Sequence, residues 1–171
     1  MQDAIEMCIA GEDWEAARQL IETELKEEPR NHWLLTRLSL TYYEQRNYGR
    51  ALELVERAFA LAPTCPLVLW DYAGTLAMLD RPREALRFYE YIVKRGVASL
   101  AFDPCGEGHA RAQGLYADSL YRISHCYLEL GDPIKAITFL KKHLGQRGPG
   151  CASIYLLADV RKELRDLQTW T

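Results

Sequence analysis

Apolar residues recur along this chain at three- and four-residue spacing, the pattern of amphipathic helices. The pattern predicts nine helices, over residues 3–10, 14–26, 32–45, 48–60, 66–79, 82–95, 107–130, 133–144 and 151–167. Short turns separate them: Arg46-Asn47, Asp80-Arg81 and Gly131-Asp132. Asp80 and Asp132 are expected to cap the helices that follow, with Pro82 and Pro133 in the first turn. The stretch Gly145–Gly150 reads as a loop. After it, Ile154, Leu157, Ala158, Arg161 and Leu164 form the stripe of a last helix. Residues 100–116 begin as a loop, since Pro104, Gly106 and Gly108 lie there. They are expected to continue into two extra turns at the start of the next helix.

The helices come in a repeat. Ala17, Ala51 and Ala85 are 34 residues apart, and each follows Trp14, Tyr48 or Pro82 by three positions. Ala136, with Pro133 three before it, lies 51 beyond Ala85, which is one more period and an insertion of 17. Other positions keep the same phase. Ser39, Ala73 and Ser124 stand twelve before the last three anchors, and Leu35, Leu69 and Leu120 sixteen before. Small residues at a crossing let two helices approach closely, and large apolar ones fill the flanks. Pro29 and Pro63 end the second helix of a unit.

This phased pattern resembles the tetratricopeptide repeat family, a 34-residue helix–turn–helix unit, over nearly the whole chain. The resemblance implies an all-α fold: a right-handed α-solenoid of helix–turn–helix repeats with a C-terminal capping helix. It divides a single domain, 1–171, into a partial repeat 1–31, repeats 32–65, 66–99 and 117–150, an insertion 100–116 and a capping helix 151–167. Two positions depart from the pattern: Ile5 stands where a small residue is expected, and His143 replaces a late alanine.

Composition narrows the function. The net charge of −3 lacks the basic field of a general nucleic-acid binder. Residues 1–30 hold nine acids against three bases, read as a solvated face. No uncharged apolar run approaches the ~20 residues that span a bilayer, and Met1–Glu6 has no basic signal-peptide start. Five widely spaced cysteines, Cys8, Cys65, Cys105, Cys126 and Cys151, point to reduced thiols and a cytoplasmic location.

Catalysis finds no support, because the sequence has no phosphate loop, nucleophile elbow or HExxH. Cys105, His109, His125 and Cys126 do not suit zinc, since His125 would stand about 24 Å along the helix from His109. No metal or cofactor is therefore expected. Cys105, just before a helix start, is the one candidate for a reactive thiol. Binding remains. The resemblance implies a groove lined by the first helices of successive units, with Trp33, Arg37, Tyr43, Trp70, Asp71, Met78, Tyr121, Arg122 and His125 facing a protein or peptide partner. Trp, Tyr and Arg are the types enriched in binding hot spots. The subclass that grips chaperone C-termini is not matched: of its positions, here Thr36, Leu40, Asp71, Asp118 and Arg122, only Arg122 agrees. The expectation is a non-catalytic interaction module, monomeric or weakly dimeric. The alternative is a scaffold or assembly subunit acting through the solenoid ends or the insertion.

Overall fold

Four helices of this chain begin where a short polar side chain accepts one of the first unpaired amides. The structure is a computed structural model describing residues 1–170. Among those residues it has nine helices and no strand. They are α1 (Gln2–Ala10), α2 (Trp14–Glu27), α3 (His32–Glu44), α4 (Tyr48–Leu61), α5 (Pro66–Met78), α6 (Pro82–Ala101), α7 (His109–Glu129), α8 (Pro133–Gly145) and α9 (Leu157–Trp170). Asp13, Asn31, Asn47 and Asp132 accept from the amides of Ala16, Leu34, Arg50 and Lys135 at 3.0–3.2 Å.

Four short turns each pass through one residue with positive φ: Glu12 at 57°, Arg46 at 60°, Asp80 at 57° and Gly131 at 76°. These stand one position before the cap and five before Ala17, Ala51, Ala85 and Ala136. Asp80 is thus the left-handed turn residue and not a cap. Arg81 holds the cap position and makes no side-chain cap, which leaves Pro82 to start α6. Only the last turn uses glycine, the residue that meets no Cβ penalty there.

The anchor alanines Ala17, Ala51, Ala85 and Ala136 are fully buried. So are their small counterparts Ser39, Ala73 and Ser124, and Ser39 Oγ donates to the Ala51 carbonyl at 2.8 Å. The chain forms two compact units, Met1–Leu79 with α1–α5 and a second from Asp80 with α6–α9. In the first, α3 packs on α2, α4 and α5. In the second, α7 packs on α6 and α8, and α9 on α8.

Two segments differ from expectation. α6 does not stop at residue 95: Gly96, at φ 75° and ψ 161°, kinks it, and the helix resumes to Ala101. The loop that follows is pinned by Asp103, which pairs with Arg95 at 2.7 Å and accepts from the Cys105 amide at 2.9 Å. The last helix starts at Leu157 and not at 151, and Val160, not Ile154 or Ala158, is its buried residue. Residues 151–156 run outside any helix because other groups hold their backbone.

Candidate functional site

The first unit sets charged side chains on α1, α3 and α5, with Trp33 beside Arg37. Arg37 on α3 brings Nε to 2.6 Å from Glu6 Oε1 on α1, a charge contact whose N–H direction falls short of a hydrogen bond. One turn earlier on α3, Trp33 lies under the same guanidinium, which sits 5.6 Å from the ring centroid. On α5, Asp71 turns one carboxylate oxygen, Oδ2, inward, where it is buried and has no hydrogen-bond donor. Burial pushes Asp71 up to about 7; Arg37 opposes this and Glu44 adds to it. Trp70 is half-buried beside it in sequence, and Met78 is 45% exposed at the end of α5. Tyr43 packs edge-to-face on Tyr48, centroids 5.4 Å apart, within its own helical hairpin. Thr36, by contrast, is fully buried and bonds back to the His32 carbonyl.

In the second unit the corresponding face of α7 is covered by the chain itself. Asp118 accepts from Ser153 Oγ on one oxygen and from the Ile154 amide on the other, the latter at 2.9 Å. Tyr155 lays its ring on Tyr121, with centroids 3.9 Å apart and planes 32° from parallel. Tyr121 Oη donates to Glu163 of α9 at 3.0 Å, and His125 Nε2 stands 3.0 Å from the same carboxylate. Burial pushes the Glu163 carboxyl up. The close His125 contact and the Tyr121 hydrogen bond, with the His125 and His143 charges, outweigh that and leave it below the usual range. Arg122 Nε donates to the Tyr89 hydroxyl on α6 at 3.1 Å.

The covering segment is anchored at both ends. Arg147 Nη1 donates to Ser153 Oγ at 2.8 Å and to the Tyr155 carbonyl at 2.7 Å, and stands 3.2 Å from His143 Nε2. His143 Nδ1 faces the Ala117 carbonyl at 2.7 Å and so carries the proton, leaving Nε2 to accept. Upstream, the Ala152 carbonyl rests against Gly114, where any Cβ would collide with it. Burial raises the Asp118 carboxyl; the Ser153 and Ile154 hydrogen bonds and the charges of His143 and Arg147 oppose it.

The nine residues read from sequence therefore divide. Trp33, Arg37, Trp70 and Asp71 stand on first helices of one unit, with Met78 at the rim and Tyr43 packed on Tyr48. Tyr121, Arg122 and His125 already have partners within their own unit. Sequence reasoning missed Glu6, Arg147, Ser153, Tyr155 and Glu163. Two signals pointed to them: a glycine inside a long helix, Gly114, and an acid at Asp118 on a face otherwise packed.

Residues 117–145, the body of α7 and all of α8, match the family model described as the tetratricopeptide repeat. That segment is similar to one tetratricopeptide repeat. Solved tetratricopeptide-repeat folds superpose on far more of the chain. MamA residues 41 to the end from Desulfovibrio magneticus RS-1 match at 15% identity and TM-score 0.66, over 99% of this chain and 89% of that one. A tetratricopeptide repeat protein from Parabacteroides merdae matches at 17% identity and TM-score 0.64, over 98% and 58%. The N-terminal domain of stress-induced protein-1 from C. elegans matches at 17% and 0.59, over 80% and 94%. At these identities the likeness shows the fold, an all-α solenoid of helix–turn–helix units. No curated protein sequence matches the chain.

Proposed function

We propose that this chain is a non-catalytic protein–protein interaction module that takes a partner's peptide segment or helix on the α1, α3 and α5 face of its first unit. Tetratricopeptide repeats are generally protein–protein interaction modules. What supports a peptide site on this face is Asp71. A buried acceptor left without a donor costs about 1–3 kcal/mol, a cost that a partner's N–H or ammonium group removes. The cation whose charge acts on it, Arg37, is already engaged with Glu6. Glu44 adds a second acid, so the face favours a basic or donor-bearing side chain. Trp33 and Trp70 supply the apolar anchors. The net charge of −3 disfavours nucleic acid as partner. No described helix is long and apolar enough to cross a membrane. Five free cysteines favour a reducing, cytoplasmic setting.

Affinity capture with mass spectrometry tests this reading. The partners held by the wild-type chain are expected to be lost from Arg37→Ala with Trp70→Ala, and kept by Arg161→Ala on the exposed side of α9. If Arg161→Ala loses them while the pair keeps them, a scaffold acting through its end replaces this reading. Far-UV circular dichroism is measured on each variant. If Trp70→Ala unfolds the protein, Trp70 is core, and Trp33→Ala with Arg37→Ala carries the test.

A further inference from the structure

The segment Cys151–Tyr155 lies on α7 as a bound peptide lies in a recognition site. It is non-helical. Its main chain is read at the Ile154 amide by Asp118 and at the Tyr155 carbonyl by Arg147. Its side chains are read at alternate positions: the Ser153 hydroxyl by Asp118 and Arg147, and the Tyr155 ring by Tyr121. Between them Ile154 points away and stays 69% exposed. Such alternation is how extended peptides are recognised, with main-chain bonds giving affinity and alternate pockets giving specificity. A covering that served only to close the end of the array would bury its apolar side chains. Here Ile154 and Leu156, at 69% and 71% exposure, are left in solvent, while the backbone, the Ser153 hydroxyl and the Tyr155 ring make the contacts.

We infer that this face of α7 is a peptide-reading site whose resident ligand is the chain's own Ser153-Ile154-Tyr155. A partner segment with the same order, a hydroxyl residue, any residue and then an aromatic, in extended form, binds there by displacing it. The inference rests on the reading of first-helix faces as binding surfaces but concerns the second unit alone. Tethered through the short 146–150 loop, the resident segment competes at an effective concentration in the millimolar range. The site is thus closed to weak ligands and open to a partner that binds more tightly or arrives when the tether is cut.

The test uses the full chain with a protease recognition sequence inserted between Pro149 and Gly150, and a fluorescent synthetic peptide with the sequence of residues 151–163. Before cleavage the peptide is expected not to bind. After cleavage it is expected to exchange into the site, with apparent affinity at least tenfold higher than for the uncut chain. A peptide carrying Ile154→Ala should bind like the parent. Peptides carrying Ser153→Ala or Tyr155→Ala should each lose tenfold or more. Equal binding to cut and uncut chains would overturn the inference, as would no exchange or loss of helical circular dichroism on cleavage. A second, uncut variant with Ser153→Ala and Tyr155→Ala keeps the tether and loosens the resident segment. It should bind the parent peptide if the site reads these two side chains, and its failure to do so while folded counts against the inference. Loss of partner capture by the Trp70 and Arg37 pair has no bearing on this result, so the two readings fail separately.

Discussion

Single residues carry two costs that the fold accepts. Asp71 is held up at about 7 by burial, against 3.8 for a free carboxyl. Its folded form binds more protons than the unfolded chain between those values, so its contribution to stability falls as pH rises through that window. Asp71→Asn should therefore raise the unfolding free energy near pH 8 by on the order of 1 kcal/mol, with a higher melting temperature, and change both little near pH 4. A gain of equal size at both pH values would mean the carboxylate is not the source. The second cost is the left-handed backbone of Arg46, at φ 60°. Arg46→Gly removes a Cβ strain of about 1–2 kcal/mol and adds unfolded-state freedom worth about half of that. The expected outcome is a net gain of roughly 0.5–1 kcal/mol, read from the urea midpoint, and Asp80 should behave alike.

Among the elements, the strap from Gly145 to Leu156 decides how the second unit is finished. Gly114→Ala puts a methyl against the Ala152 carbonyl, and both atoms sit on backbone that cannot swing aside. It should cost about 1–3 kcal/mol. Hydrogen exchange at Ile154, whose amide bonds Asp118, should quicken before that of α7 does. The strap also depends on His143 staying neutral. Burial holds its imidazole below the usual 6.5, while the Ala117 hydrogen bond and the charge of Asp118 oppose this and Arg147 adds to it. Glu163 on α9 also favours the charged form, and the Tyr121 and Tyr155 rings close the remaining sides. A base with a lowered folded pKa contributes stability that is present above 6.5 and lost as pH falls below it. Asp71 works in the opposite direction over part of this range, so the comparison must be with His143→Gln. On going from about pH 7.5 to 5.5 the wild type should lose more stability than that variant. Parallel melting curves for the two would rule out His143 as the sensitive group.

For the whole molecule, repeat arrays gain stability from neighbours, and the outermost elements have the fewest. α1 buries one side chain, Ile5, and among the described side chains of α9 the buried one is Val160. α3 and α7 bury six and nine residues. Native-state hydrogen exchange should therefore be fastest in α1 and α9 and slowest in α3 and α7, each read against its own unit. Uniform protection along the chain would show that cooperativity runs through it without regard to burial.

Much of the fold was legible because it is local and repeated. The phase of Ala17, Ala51, Ala85 and Ala136 follows from helix periodicity and the need for small residues at crossings, both properties of the linear order. The helix starts at Asn47 and Asp132 are local in the same way, whereas Asp80 was misread because a turn residue and a cap share the same chemistry one position apart. The tetratricopeptide pattern likewise points to Trp33, Arg37 and Trp70 as first-helix residues, which the proposed peptide face uses. It had no means of naming Glu6 as the partner of Arg37, or Ser153 and Tyr155 as the occupants of Asp118 and Tyr121. Those pairings join residues about thirty or more positions apart and leave no period in the sequence. Helices are specified by neighbours three and four residues away, so the sequence by itself determined them and their order. Which face of α7 stays open depends on where an extended strap finds donors and acceptors for its backbone, and only the tertiary structure decided that.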